Sequence, residues 1–219
     1  MADAYIVEAL RTAGGRARKG GLVDVHPADL GATVLDALVA RTGVDPAAVE
    51  DVIVGCVTQG GEQAFAFGRN LVLVSSLPDS VPAVTIDRQC GTRQAMSEVK
   101  ALAEGGSITA ANASQMTDGA SGAMIVSEAA LKRFNLTPLA RVVNLTVTAG
   151  DPVIMLEEPI PATRKALARA GMKLEEIDLF EVNEAFASIP MAWLKALGAD
   201  PAKLNVHGGA IALGHPLGA

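Results

Sequence analysis

The chain has 219 residues, a formal net charge of −6, half its residues hydrophobic and only 3% aromatic. That length suits one large or two small domains with a sizeable core, and the acidic balance argues against nucleic acid or an anionic membrane as the main partner. The start, "MADAYIVEALRTAGG", carries no charged-then-apolar leader, and no apolar run reaches the ~18 residues of a membrane span, so a soluble cytoplasmic protein is expected.

In chain order, "AYIVEAL" reads as a buried strand. "HPADLGATVLDALVARTG" reads as a helix, with Pro27 in its first turn and Gly43 just past its end. "VEDVIVGCV" is a second strand. "GEQAFAFGRNLVLVSSL" is a buried helix stopped by Pro78, and "VPAVTIDRQ" is a third strand. The stretch after Cys90 reads as helical until Gly105. There follow "GAMIVSEAALKRF" (strand into helix), "LARVVNLTVT" (strand), "IPATRKALARAG" (helix), "IDLFEV" (strand) and "EAFASIPMAWLKALG" (helix).

Strands alternating with helices at this spacing indicate an α/β fold, and continuous apolar runs predict sheets covered on both faces. Ala40–Val54 and Ala168–Val182 share Ala-Arg-x-Gly followed by an acid and an apolar strand. Such an echo fits two halves built on one unit, and equally fits the convergence of helix–turn–strand connections on one pattern.

Two cysteines are present, and in a reducing compartment both are expected as free thiols. Cys56 lies inside a strand pattern, where cysteine acts as a small hydrophobe. Cys90 lies where a strand ends and a helix begins; it reads either as structural or as a thiol whose pKa is lowered by the helix N-terminus and by Arg88. A cysteine nucleophile needs a base, and histidine is the usual one. His26 precedes a helix-starting proline and reads as a surface cap, and His207 in "NVHGGA" as loop filler. His215, in the glycine-rich "GGAIALGHPLGA", is the best base candidate, because such a loop lets backbone approach a ligand closely. In "EVNEAF", Asn183 and Glu184 fall at a strand end, where α/β proteins place their binding crevice. Asn183 there either caps the next helix or supplies an amide that orients a water or a carbonyl oxygen. Cys90, Asn183 and His215 together suit acyl transfer, with a thiolate attacking a thioester and polar donors holding the oxyanion.

The segments "DRQCG", "ITAANASQMTDGA", "DPVIM…PIPATRKALARAG", "EVNEAFA" and "NVHGGAIALGHPLGA", in this order and across almost the whole chain, resemble the thiolases of acetyl-CoA acetyltransferase type. The resemblance implies a layered α-β-α-β-α core of two repeated halves with mixed sheets. It divides the chain into 1–105 and 106–219. It further implies Claisen-type exchange between CoA thioesters in lipid and fatty acid metabolism, no cofactor beyond the CoA substrates, no metal, and a homodimer or homotetramer. Matched position by position, Cys90 corresponds to the acylated nucleophile, and His215 to the histidine that activates it and contributes to an oxyanion hole. Asn183 corresponds to the asparagine that holds a water in that hole, and Ser114 to a serine near the bound CoA arm.

Several features depart from the family pattern. Thiolases are nearly twice as long, and the loop domain they insert after the nucleophile helix shrinks here to about ten residues, near Met96–Gly106. Leu102 stands where the family has an aromatic residue, and Arg93 where small residues surround the thiol. The family's second catalytic cysteine, beyond the histidine loop, has no counterpart before Ala219. Three functions are therefore carried forward from the sequence: a thiolase, a half-reaction enzyme acylated at Cys90 and discharged by water, and a non-catalytic acyl-CoA-binding remnant.

Overall fold

The computed structural model describes residues 3–87, 108–109 and 111–216. The expected helix after Cys90 lies outside the described residues. Contacts divide the chain into two units, one taking Met1–Glu98, Met116–Val142 and Pro216–Ala219, the other Val99–Gln115 and Val143–His215.

In the first unit, β1 (Ala4–Arg11) pairs antiparallel with β6 (Ser121–Ser127) and, at its start, with β7 (Ala140–Arg141). Two short strands, β2 (Gly15–Arg16) and β5 (Thr117–Asp118), pair antiparallel, while β3 (Val52–Gly55) and β4 (Ala83–Ile86) run parallel. α1 (Pro27–Thr42) starts and stops where its sequence signals lie. The His26 Nδ1 accepts from the Ala28 N–H at 3.1 Å, and Gly43 ends the helix at φ +66°, a conformation that favours glycine.

α2 (Phe67–Val74) connects β3 to β4 and presses Phe67, Leu71 and Val72 inward. Two layers of packing result, one of Ala28, Cys56, Phe67 and Leu71, the other of Val52, Val72, Leu77 and Val81. α2 is shorter than its apolar run. Phe65 and Ala66 take positive φ before it, and beyond its end the Asp36 carboxylate accepts from both the N–H and hydroxyl of Ser76, at 2.7 and 2.8 Å. The helix therefore ends before Pro78 is reached. Gly68 is required because a Cβ would stand 2.8 Å from the Val84 carbonyl oxygen.

Among the described residues the faces of the strands are not equally covered. Burial alternates along β6, and Ile53, Val84 and Ile125 are exposed.

In the second unit, α4 (Pro159–Ala170) and α5 (Ser188–Leu197) end at Gly171 and Gly198, both at φ +67°. Trp193 of α5 is 1% exposed, donates its Nε1–H to the Thr163 hydroxyl at 3.0 Å, and meets Phe180 edge-on at 5.0 Å. Two expected strands are largely absent. Only Ala140–Arg141 of "LARVVNLTVT" joins a ladder; beyond it, Lys165 and Arg169 of α4 donate to the Val147 and Leu145 carbonyls. In "IDLFEV" the single ladder contact is Phe180 with Leu204. Backbone groups in both stretches find side-chain donors and acceptors in place of a neighbouring strand, so extended sequence propensity does not become sheet. A short α3 (Glu128–Arg133) follows β6, and α6 (Ala210–Leu213) forms a helical turn inside the glycine-rich loop, which the sequence presents only as loop.

Candidate active site

Within the second unit, the segment around Ser114 is stitched to two motifs. Ala113 bridges Phe186, the Ser114 N–H donates to the Ala185 carbonyl at 3.2 Å, and the Ala187 N–H donates to the Asn112 carbonyl at 2.8 Å. On its other side the His215 N–H donates to the Gln115 carbonyl at 2.8 Å. Residues 112–115 thus hold the "NEAF" motif and the histidine loop in one cluster, and three of the four expected site residues, Ser114, Asn183 and His215, belong to it. Cys90, the expected nucleophile, lies outside the described residues, as do Arg88, Arg93 and Leu102.

His215 differs from the other two histidines. His26 caps α1 and His207 is exposed, as their sequence contexts predict. His215 is half-buried, and its Nε2 is buried with no hydrogen-bond partner among the described residues. Burial pushes its pKa below the ordinary 6.5, which keeps the ring neutral and able to take a proton at pH 7.

The same shift has a consequence for stability. Below about pH 6.5 the unfolded chain protonates His215 while the folded chain resists, so the unfolded state binds more protons and stability falls as pH drops through that window. Relative to His215→Gln, the wild type is expected to lose stability between pH 8 and pH 5. Parallel pH-denaturation curves for the two proteins would show no such divergence if the ring were solvated.

Asn183 is exposed, and it does not cap α5: that helix starts from Ala187 with no side-chain cap. Ser114 is 6% exposed, and its hydroxyl donates to the Ala185 carbonyl at 3.4 Å. A cleft of about 370 Å³ opens beside this segment, lined by Ile108, Asn112, Ala187, Ser188 and Met191. Cys56 is 2% exposed, its thiol donates to the Thr58 carbonyl, and burial raises its pKa, which keeps it protonated and inert. Among the described residues no group of three or more His, Cys, Asp or Glu side chains could hold a metal ion, and no helix is long and apolar enough to cross a membrane.

Sequence reasoning passed over Asn205, which takes φ +46°. Its Oδ1 accepts from the Val182 N–H at 2.8 Å and its Nδ2 donates to the Val182 carbonyl at 2.9 Å, so one side-chain amide pairs with the "IDLFEV" backbone as a strand would. Asparagine's tolerance of the left-handed region just before "HGG" was the available signal.

The family model "Thiolase, N-terminal domain" matches residues 4–101, and "Thiolase, C-terminal domain" matches residues 136–219. The steroid 3-ketoacyl-CoA thiolase FadA6 of Mycobacterium tuberculosis is 33% identical over 347 aligned positions covering 100% of this chain and 85% of the relative. A 3-ketoacyl-CoA thiolase of Saccharophagus degradans is 30% identical, covering 99% of this chain and 88% of the relative. An alignment of 347 positions against 219 residues means that the FadA6 relative carries long stretches with no counterpart here, in keeping with a chain shortened against its family. The crystal structure of human mitochondrial 3-ketoacyl-CoA thiolase in complex with CoA superposes with a TM-score of 0.90 at 26% identity, covering 100% of this chain and 88% of that one. The α/β fold, with its antiparallel and parallel sheets, is accordingly the thiolase fold. The chain belongs to the thiolase family.

Proposed function

We propose that the protein is an acyltransferase that exchanges acyl groups between CoA thioesters, as an acetyl-CoA C-acetyltransferase or 3-ketoacyl-CoA thiolase of fatty-acid and lipid metabolism. The observation that carries this reading is His215: a neutral, half-buried imidazole with an unpartnered Nε2, on a loop bonded to the segment that also anchors the "NEAF" motif. In this reading Cys90 is the nucleophile. Its thiol proton passes to His215 as sulfur attacks the thioester carbonyl, the bond from carbonyl carbon to CoA sulfur breaks, and His215 returns the proton to the departing CoA thiolate. Asn183 orients a water that donates to the oxyanion. Ser114 sits on the CoA side, supported by the cleft that begins at Asn112.

The division into 1–105 and 106–219 is part of the same proposal. The two family models, matching 4–101 and 136–219, support a two-part chain, while Met116–Val142 make their contacts with the first unit. Binding of CoA is supported by the human relative, which was crystallised with CoA. A homodimer or homotetramer, which rests on the family resemblance alone, and the cytoplasmic location expected from the sequence complete the reading.

The test is acetylation. Incubated with acetyl-CoA, the purified protein is expected to gain one acetyl group on the peptide carrying Cys90, seen by mass spectrometry after digestion, and the Cys90→Ala variant none. Adding free CoA to the acetylated protein is expected to regenerate acetyl-CoA, and acetoacetyl-CoA should form from two acetyl-CoA. Acetylation followed only by release of acetate would identify a half-reaction enzyme, and binding of CoA without acetylation a non-catalytic remnant.

A further inference from the structure

The second residue of the "NEAF" motif, Glu184, has no role in the mechanism above, yet its side chain joins Asn205 to the histidine loop. It is half-buried, and both of its carboxylate oxygens are used. Oε1 accepts from Asn205 Nδ2 at 2.9 Å, and Oε2 accepts from the Ile211 N–H at 3.1 Å. Ile211 is the second residue of α6, whose last residue is followed directly by Gly214 and His215. Asn205, for its part, is locked to both backbone groups of Val182, two residues before Glu184. The contacts form a closed circuit: Val182 to Asn205, Asn205 to Glu184, Glu184 to α6, with Asn183 inside it.

Gly209 belongs to the same circuit. A Cβ at position 209 would fall on the Glu184 carboxylate, so the loop passes this close to Glu184 only because residue 209 is glycine. Within α6 the Ala212 and Leu213 N–H groups both donate to the Gly209 carbonyl, at 3.1 and 3.0 Å, and the Gly214 N–H donates to Ala210 at 3.0 Å. The turn from Gly209 to His215 is therefore a stiff spacer. Fixing its start at Glu184 and its end at Gln115 fixes the imidazole.

We propose that Glu184 is a positioning residue for His215: its two carboxylate oxygens clamp the histidine loop to the end of the "IDLFEV" stretch that presents Asn183, and Gly209 is glycine to admit that carboxylate. The proposal rests on the thiolase reading for its kinetic consequence, but not for its structural one. The chemistry requires a carboxylate, because both partners are donors. A glutamine could satisfy one of them and would turn an NH₂ toward the other.

The test compares Glu184→Gln, Glu184→Asp, Glu184→Ala, Gly209→Ala and the Glu184→Ala/Gly209→Ala double variant with wild type and with His215→Ala. Three readouts are taken: the pH profile of acetylation of Cys90, the concentration of acetyl-CoA giving half-maximal rate, and the ring ¹H–¹³C resonances of His215 by NMR. Glu184→Gln and Gly209→Ala are each expected to slow acetylation at saturating acetyl-CoA by about 10²-fold, the scale of a reacting group displaced by about 1 Å. The half-saturating concentration should change little. Glu184→Asp, which keeps two acceptors on a shorter arm, should recover part of the rate. The His215 resonances should move in every slowed variant. Gly209→Ala should add nothing once residue 184 is alanine, because the atoms it displaces are gone.

Unmoved His215 resonances in Glu184→Gln, or full additivity of the two alanine substitutions, would overturn the proposal even if the variants were slow. If His215→Ala itself acetylates at the wild-type rate, the role of His215 as base fails. The resonances and the Gly209 interaction would still decide whether Glu184 holds the ring. If Glu184→Ala does not fold, Glu184→Asp and Gly209→Ala carry the same comparison.

Discussion

Replacing His215 with alanine is expected to slow acetylation of Cys90 by about 10²- to 10⁴-fold, the usual contribution of a positioned general base. A free thiol has a pKa of about 8.5, so at pH 7 only a few per cent is thiolate. A neutral imidazole within reach removes that handicap by accepting the proton as sulfur attacks. The half-buried ring of His215 is suited to this, because burial lowers its pKa and leaves the imidazole uncharged at pH 7. The variant should acetylate only in proportion to its ionised thiol, so its rate should climb steadily up to about pH 8.5, whereas the wild type should level off well below that. Initial rates of acetylation between pH 5 and 9 measure the difference. Superimposable profiles would remove His215 from the reaction and leave the loop a merely structural element.

Trp193→Ala is expected to destabilise the second unit by about 3–5 kcal/mol, a large part of the stability of an ordinary domain. Trp193 is among the most completely buried large side chains described, at 1% exposure, and it joins three elements. Its indole N–H reaches Thr163 of α4, its ring takes the edge of Phe180 in the "IDLFEV" stretch, and its own helix begins directly after the "NEAF" motif. Truncation leaves a cavity that rigid helices cannot fill. Trp193→Phe separates the contributions: it keeps most of the packing and removes the hydrogen bond, at a cost of about 1 kcal/mol, since the Thr163 hydroxyl still donates to the Pro159 carbonyl at 2.7 Å. Urea denaturation followed by far-UV circular dichroism gives both values. A loss under about 1 kcal/mol in the alanine variant would mean that α4 and α5 collapse onto the vacated space.

The candidate site was legible where chemistry depends on residue type and local context. His215 stood out from two other histidines because it alone is flanked by glycine and proline in an apolar loop, and it alone has a buried ring nitrogen without a partner. Cys56 was legible as inert from the apolar strand around it. Glu184 and Asn205 were not legible as a pair. Twenty residues separate them, and neither the "NEAF" nor the "NVHGG" motif names its partner; only folding shows that one carboxylate serves both Asn205 and the start of α6. The echo between Ala40–Val54 and Ala168–Val182 shows the limit from the other side. The helix, left-handed glycine and 3-10 turn it encodes appear at Gly43 and Gly171, and then a third time at Gly198 with the turn at Pro201–Lys203.

By itself the sequence determined α1 and α4 with their ends, and the C-terminal end of α5, because a proline in the first turn and a terminal glycine act within a few residues of where they are written; α5 starts at Ser188, four residues past the start its apolar pattern predicts. It also determined the family, through five motifs in order. Only the tertiary structure decided which extended stretches became sheet and which faces were covered. β1 found β6 more than a hundred residues away, whereas "IDLFEV" found the Asn205 amide and "VVNLTVT" found lysine and arginine donors from α4. A strand is completed by its partner, and nothing in a short, largely apolar stretch specifies whether that partner is another strand or a single side chain.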